Sequence, residues 1–137
     1  MKSDIEVLDG AIALVEKDGG WCQGAFCVDK DGDPISFPDM ATAAQPASFC
    51  LEGAIGWASG YMQAAAAVEW SRRYRNDDYP LLRKQFERLN DLVATPLPGT
   101  TSIQSPGRRP AYFNDLPTTT QEDAILALKV ARAALEE

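Results

Sequence analysis

The sequence predicts a mainly α fold: a compact bundle of four or five helices with a minor β-hairpin, built as a single helical domain over residues 1–137. Three observations carry this. Apolar residues recur at helical spacing in separate segments along the chain. A Ser/Thr-x-x-Glu signature stands at the head of the first and of the last of them. Only the short pieces around Asp31-Gly32 read as strand, too little for a sheet-based fold. A chain of this length suits one domain and hides roughly two-thirds of its extended-chain surface on folding, enough for a real core.

Ser3-Asp4-Ile5-Glu6 forms a capping box, and Ile5, Leu8, Ile12 and Val15 follow at helical spacing. Gly19 and Gly20 stop that helix, which spans about Asp4 to Lys17. Next comes AFCVDKDGDPIS, a hairpin around Asp31-Gly32 whose second arm Pro34 confines to an edge. Together Gly19–Ile35 make a loop and hairpin that pack across the helices, seated by Trp21 and the cysteines. Phe37 to Ala47 reads as loop with one helical turn.

Ser48 is the expected cap of a second helix, with Phe49, Cys50, Ala54, Trp57, Ala58 and Tyr61 on one face. Gly53, Gly56 and Gly60 each cost up to ~1 kcal/mol relative to alanine inside a helix, so they imply close approach of a neighbour or a break near Ser59-Gly60. Gln63 to Tyr74 continues as an alanine-rich helix ending in Arg72, Arg73 and Arg75, and Asn76-Asp77-Asp78 acts as stop and restart. Pro80 opens a third helix with the stripe Leu82, Phe86, Leu89 and Val93, ending before Pro96. Thr95 to Thr118 reads as a long loop, of the kind that is usually functional or disordered. Thr119 and Glu122 then cap a last helix that buries Ala124, Ile125, Leu128, Ala131 and Leu135.

Charge and composition narrow the function. The formal net charge is -7. Such a chain is repelled by phosphates and anionic lipid, so neither direct nucleic-acid binding nor a membrane partner is expected. Acids and bases alternate rather than forming the dense acidic runs of a nucleic-acid mimic. The start, MKSDIEVLDG, carries acids where a signal peptide needs an apolar core, and no apolar run reaches the ~20 residues of a membrane helix. Three cysteines do not suit a disulfide framework. The expected location is cytoplasmic. There are no histidines, which removes the usual general base at neutral pH and excludes Ser-His or Cys-His chemistry within this chain.

The motifs WCQG at Trp21–Gly24, FCLEGA at Phe49–Ala54 and FND with Pro117 and Thr119 resemble a family of small bacterial and phage proteins of unknown function. In that family W-C-x-G, a short D-x-D-G segment, F/W-C-x-x-G-A and W-N-D-x-P-x-x-T follow in this order. Phe113 stands here where that family more often has tryptophan, and residues 61–105 fit it poorly. The resemblance implies a common fold and supplies no activity.

Cys22 and Cys50 are the candidate nucleophiles, with Asn114 and Asp115 as polar partners. A reactive thiol needs a cation, a metal or a helix N-terminus to lower its pKa, and free cysteine is otherwise among the most buried residues. The spacing Cys22-x4-Cys27 followed by a long gap to Cys50 does not suit zinc, and Asp29–Asp33 lacks the glycine and glutamate positions of a calcium loop. Accordingly no metal, no cofactor and no catalytic residue is assigned. Arg108, Arg109 and Tyr112 form the most site-like basic group, suited to an anion held by arginine beside a ring.

The expected ligand-binding set is therefore Trp21, Cys22, Cys50, Arg108, Arg109, Tyr112, Asn114 and Asp115. The favoured function is a non-enzymatic binding protein, a bacterial or phage accessory or anti-defence protein that engages a protein partner or a small anionic ligand. One alternative is a sponge for a nucleotide second messenger, and the other is a cysteine-dependent enzyme on Cys22 or Cys50. The glycine- and alanine-rich second helix makes a homodimer an option.

Overall fold

The computed structural model describes residues 1–70, 77–102 and 105–136, with residues 70, 101, 102 and 105–107 described by their backbone alone. It is mainly α with minor antiparallel pairing, as the sequence predicts. Helix α1 (Asp4–Glu16) has the predicted box: the Ser3 hydroxyl accepts from Glu6 N, and Glu6 accepts from Ser3 N. Val7, Leu8, Ala11 and Val15 are fully buried along one face.

The turn at Asp31-Gly32 is present. Asp29 Oδ1 accepts from the amides of Asp31 and Asp33, so the acidic cluster serves turn chemistry. Ile35 N donates to Cys27 O, which closes the short hairpin. The main partner of strand β1 (Cys27–Val28) is however strand β2 (Ser48–Phe49), in the register Cys27↔Phe49 and Val28↔Ser48. Between them Phe37–Ala41 forms a 3-10 turn packed on helix α3 (Tyr61–Trp70).

Because Ser48 and Phe49 are strand, the expected cap at Ser48 moves to Cys50, whose Sγ accepts from Gly53 N at 3.3 Å. Helix α2 (Leu51–Ser59) then runs through the centre and packs on α1 and on three later helices. Its small residues are used within the chain's own core, and nearly all of them are buried. A Cβ on Gly53 would lie 1.8 Å from the carbonyl oxygen of Phe26, so the glycine admits a loop backbone rather than another helix. The break falls where the sequence predicts, at Gly60, whose φ of 82° is left-handed.

Helix α3 (Tyr61–Trp70) follows directly, and helix α4 (Tyr79–Ala94) carries Pro80 in its first turn. The arginines Arg72, Arg73 and Arg75 and the residue Asn76 lie outside the described residues. The segment expected to be loop holds structure of its own: strands β3 (Thr101–Ser102) and β4 (Ser105–Arg108), then helix α5 (Pro110–Asn114). Pro110 at the first helical position explains why a proline-rich stretch makes a helix start there. The last cap is one residue later than expected. Thr120 and Asp123 form the box of helix α6 (Gln121–Ala134), while Thr119 Oγ1 donates to Phe113 O at 2.7 Å. No helix among the described residues is long and apolar enough to cross a membrane.

Candidate functional site

The family-like motifs converge on one buried amide. Asn114 ends α5 and is fully buried. Its Oδ1 accepts from Trp21 Nε1 at 2.7 Å and from Leu51 N at 3.0 Å. Its Nδ2 donates to Cys22 O at 3.0 Å and to Asp115 Oδ1 at 3.0 Å. A side-chain amide has two acceptor sites and two donors, and all four are used. Asp115 Oδ1 also accepts from Gly24 N at 3.0 Å, and Gln23 Nε2 donates to the carbonyls of Asn114 and Leu116. Trp21, Cys22, Asn114 and Asp115 therefore meet, and what they do is tie the 20–26 loop to α5 and to the start of α2. Backbone bonds from Cys22 N to Phe49 O, Phe49 N to Gly20 O and Cys50 N to Phe26 O extend the same seam.

The thiols sit in this seam without activation. Burial pushes Cys50 far above the ordinary thiol range, although Gly53 N donates to it. Burial likewise pushes Cys27 up to about 11, with Cys22 nearby adding to the shift. Cys22 is half-buried, donates to Ala25 O at 3.6 Å and is also raised, by burial first and by the charge of Asp115. The thiolate is the nucleophile and the metal ligand, and these environments favour the thiol. Among the described residues no three Cys, Asp or Glu side chains converge into a metal-binding group.

Arg109 is committed as well. Its Nε and Nη2 donate to Glu52 Oε1 and Oε2 at 2.9 and 2.7 Å, and its guanidinium lies 5.6 Å from the centre of the Tyr112 ring. Glu52 is only 4% exposed, whereas Arg109 is 42% exposed. This bidentate pair holds the arginine's pKa above its ordinary value. Arg108, beside it, is exposed.

Two clefts flank the Arg109–Glu52 pair. The smaller, of about 340 Å³, is walled by Gly24, Phe26, Cys50, Arg109, Tyr112 and Asp115, which include several expected site residues. Their polar groups are largely turned to the bonds just given. The larger, of about 560 Å³, opens between the 3-10 turn, α2, α3 and α4. Its apolar wall is Phe26, Phe37, Tyr61, Met62 and Phe86, and its polar wall includes Glu52, Glu87, Asn90, Asp91 and both arginines. Positions 86, 87, 90 and 91 share one face of α4 by helical spacing. Tyr61 and Phe86 stack at 4.4 Å, and a Cβ on Gly56 would strike Met62.

Asn90 is the exception to good pairing in this wall. It is 6% exposed; its Nδ2 donates to Phe86 O at 2.8 Å, and its Oδ1 is buried without a partner among the described residues. Such an acceptor costs about 1–3 kcal/mol when left unmet. Of this wall the sequence singles out only Arg108 and Arg109. Glu52 carries a weak signal, a lone charge inside LEGAIGWA. Phe37, Asn90 and Asp91 carry none, since only tertiary packing brings their elements together.

A family model described as a family of unknown function (DUF6197) matches residues 1–134. No curated protein and no solved structure matches the chain.

Proposed function

The chain belongs to the family of unknown function DUF6197, and from that premise we propose that it is a non-enzymatic binding protein for a small molecule, held in the cleft between the 3-10 turn, α2, α3 and α4. The observation that supports this reading is the combination of about 560 Å³ of concave, ring-walled space with an unmet buried acceptor at Asn90. Ligand sites are typically of this size and mostly apolar, with few polar groups fixing orientation. A binding role of this kind suits an accessory protein, including one that acts against a host defence. The raised thiols and the fully occupied amide of Asn114 weigh against the cysteine-enzyme alternative.

The test is a two-dimensional amide NMR titration of the labelled protein with a chemically diverse fragment panel. Saturable shifts grouped at Phe26, Phe37, Met62, Phe86 and Asp91 are expected. Shifts grouped elsewhere, or none at millimolar fragment, overturn the reading.

A second reading, capture of a nucleotide messenger, draws on the same cleft joining Arg108 and Arg109 to aromatic rings. It is the weaker one, because Glu52 already neutralises Arg109. A cyclic dinucleotide at 100 times its Kd would add ~2.7 kcal/mol of stability, visible as a raised Tm.

A further inference from the structure

The lining of the larger cleft includes three carboxylates, Glu52, Glu87 and Asp91, and two arginines, Arg108 and Arg109. Its aromatic residues, Phe26, Phe37, Tyr61 and Phe86, suit the apolar body of a ligand. Arg109 and Glu52 cancel each other through two short bonds. That leaves Glu87 and Asp91 against Arg108 among the charged groups of the described lining. Glu87 also meets Arg83 at 3.1 Å, but both side chains are more than half exposed, so water screens that pair and the carboxylate stays available to a ligand.

Asn90 points the same way. One of its two amide N–H donors is taken by the α4 backbone, and the atom without any partner is the oxygen. An anion cannot satisfy an acceptor; an N–H donor can. The net charge of -7 adds a long-range preference of the same sign.

We propose, resting on the reading of this cleft as a binding site, that its ligand is an organic cation: an ammonium group carried on an apolar or aromatic body. The ammonium donates to Asp91, Glu87 and the Asn90 oxygen, and the body lies against Phe37, Met62 and Phe86.

Three probes of matched shape separate the charge classes: 2-phenylethylammonium, 2-phenylethanol and 3-phenylpropionate. Each is titrated into the intact protein, with cleft amide shifts giving Kd. The ammonium is expected to bind at least tenfold more tightly than the alcohol, with the carboxylate weakest. Asp91→Asn combined with Glu87→Gln is expected to remove most of the ammonium's advantage over the alcohol, with both Kd values measured on the same variant. Asn90→Leu, which fills the same space without an acceptor, should reduce the ammonium's advantage further. Equal or tighter cleft binding by the carboxylate, or no preference between ammonium and alcohol, overturns the cation assignment and leaves the cleft reading standing. If no probe and no member of the wider panel shifts the cleft amides, the cleft reading itself fails and the cation assignment with it.

Discussion

The indole Nε1 of Trp21 donates to Asn114 Oδ1 at 2.7 Å across a sequence separation of 93 residues. The same oxygen also takes Leu51 N, in the first turn of α2, so one buried amide joins three distant parts of the chain. Removing it leaves a buried backbone N–H and an indole N–H without partners. Asn114→Ala is expected to cost about 3 kcal/mol or more in urea denaturation, at roughly 1–3 kcal/mol per unmet buried group. Asp115→Asn keeps an oxygen for Gly24 N and should stay within about 1 kcal/mol of the parent, since surface-side changes of this kind are mild. Equal costs for the two variants would contradict this assignment of roles.

Arg109 and Glu52 form the next dependency. Arg109→Ala strands a carboxylate that is 4% exposed. Breaking a fully buried pair costs about 3–5 kcal/mol; with Arg109 42% exposed, about 2 kcal/mol is expected. Glu52→Gln leaves a neutral amide and should cost less. The double variant should recover part of the loss, giving a coupling of at least ~1 kcal/mol in a thermodynamic cycle. Strictly additive losses would mean the two side chains do not depend on each other.

These two cases mark what the sequence can tell. Trp21, Cys22, Asn114 and Asp115 are visible because each sits in one of the family-like motifs, WCQG or FND. Their joint role is not visible, because hydrogen bonds over more than 90 positions leave no local trace. Helix starts and stops are the most legible feature, since caps act within three or four residues. The Ser3 box and the Gly60 break fall where expected, and the Thr120 box is off by one because Thr119 has found a partner in Phe113 O. The cleft is the least legible. It is made by the 3-10 turn, α2, α3 and α4 meeting, and each contributes one to four residues with no shared pattern.

The thiols predict a pH dependence of stability. Folding raises Cys27 from 9.0 to about 11 and raises Cys50 further. An acid raised in the folded state keeps its proton there while the unfolded chain loses it. The unfolded state then binds fewer protons, and stability falls as pH rises. Their contribution is complete below about pH 9 and is lost as pH climbs toward the folded values. Urea stability should be level from pH 7 to 8.5 and drop between pH 9 and 11. Cys27→Ala should reduce that slope by up to ~1.4 kcal/mol per pH unit, the value for one proton. An unchanged slope would remove Cys27 from the account. In the folded protein at pH 8, a thiol reagent should reach Cys22 before Cys27 or Cys50, which are 1% and 3% exposed.

Gly53 and Gly10 make a controlled comparison, as both lie inside helices where alanine is intrinsically better by up to ~1 kcal/mol. At Gly53 a Cβ would overlap the Phe26 carbonyl oxygen at 1.8 Å, and that oxygen accepts from Cys50 N. Neither backbone can move without opening the seam between the 20–26 loop and α2. Overpacking of this severity costs about 3 kcal/mol, the upper part of the usual range, and outweighs the propensity gain. At Gly10 the nearest atom is the Ala58 Cβ at 3.3 Å, a contact that a few tenths of an ångström would relieve. Gly10→Ala should therefore fall within about 1 kcal/mol of the parent while Gly53→Ala is severe, because small contact strains of the first kind are offset by helix propensity. Denaturation midpoints of the two variants decide it. Near-equal effects would show that the close approach of Phe26 to α2 does not govern the stability of this seam.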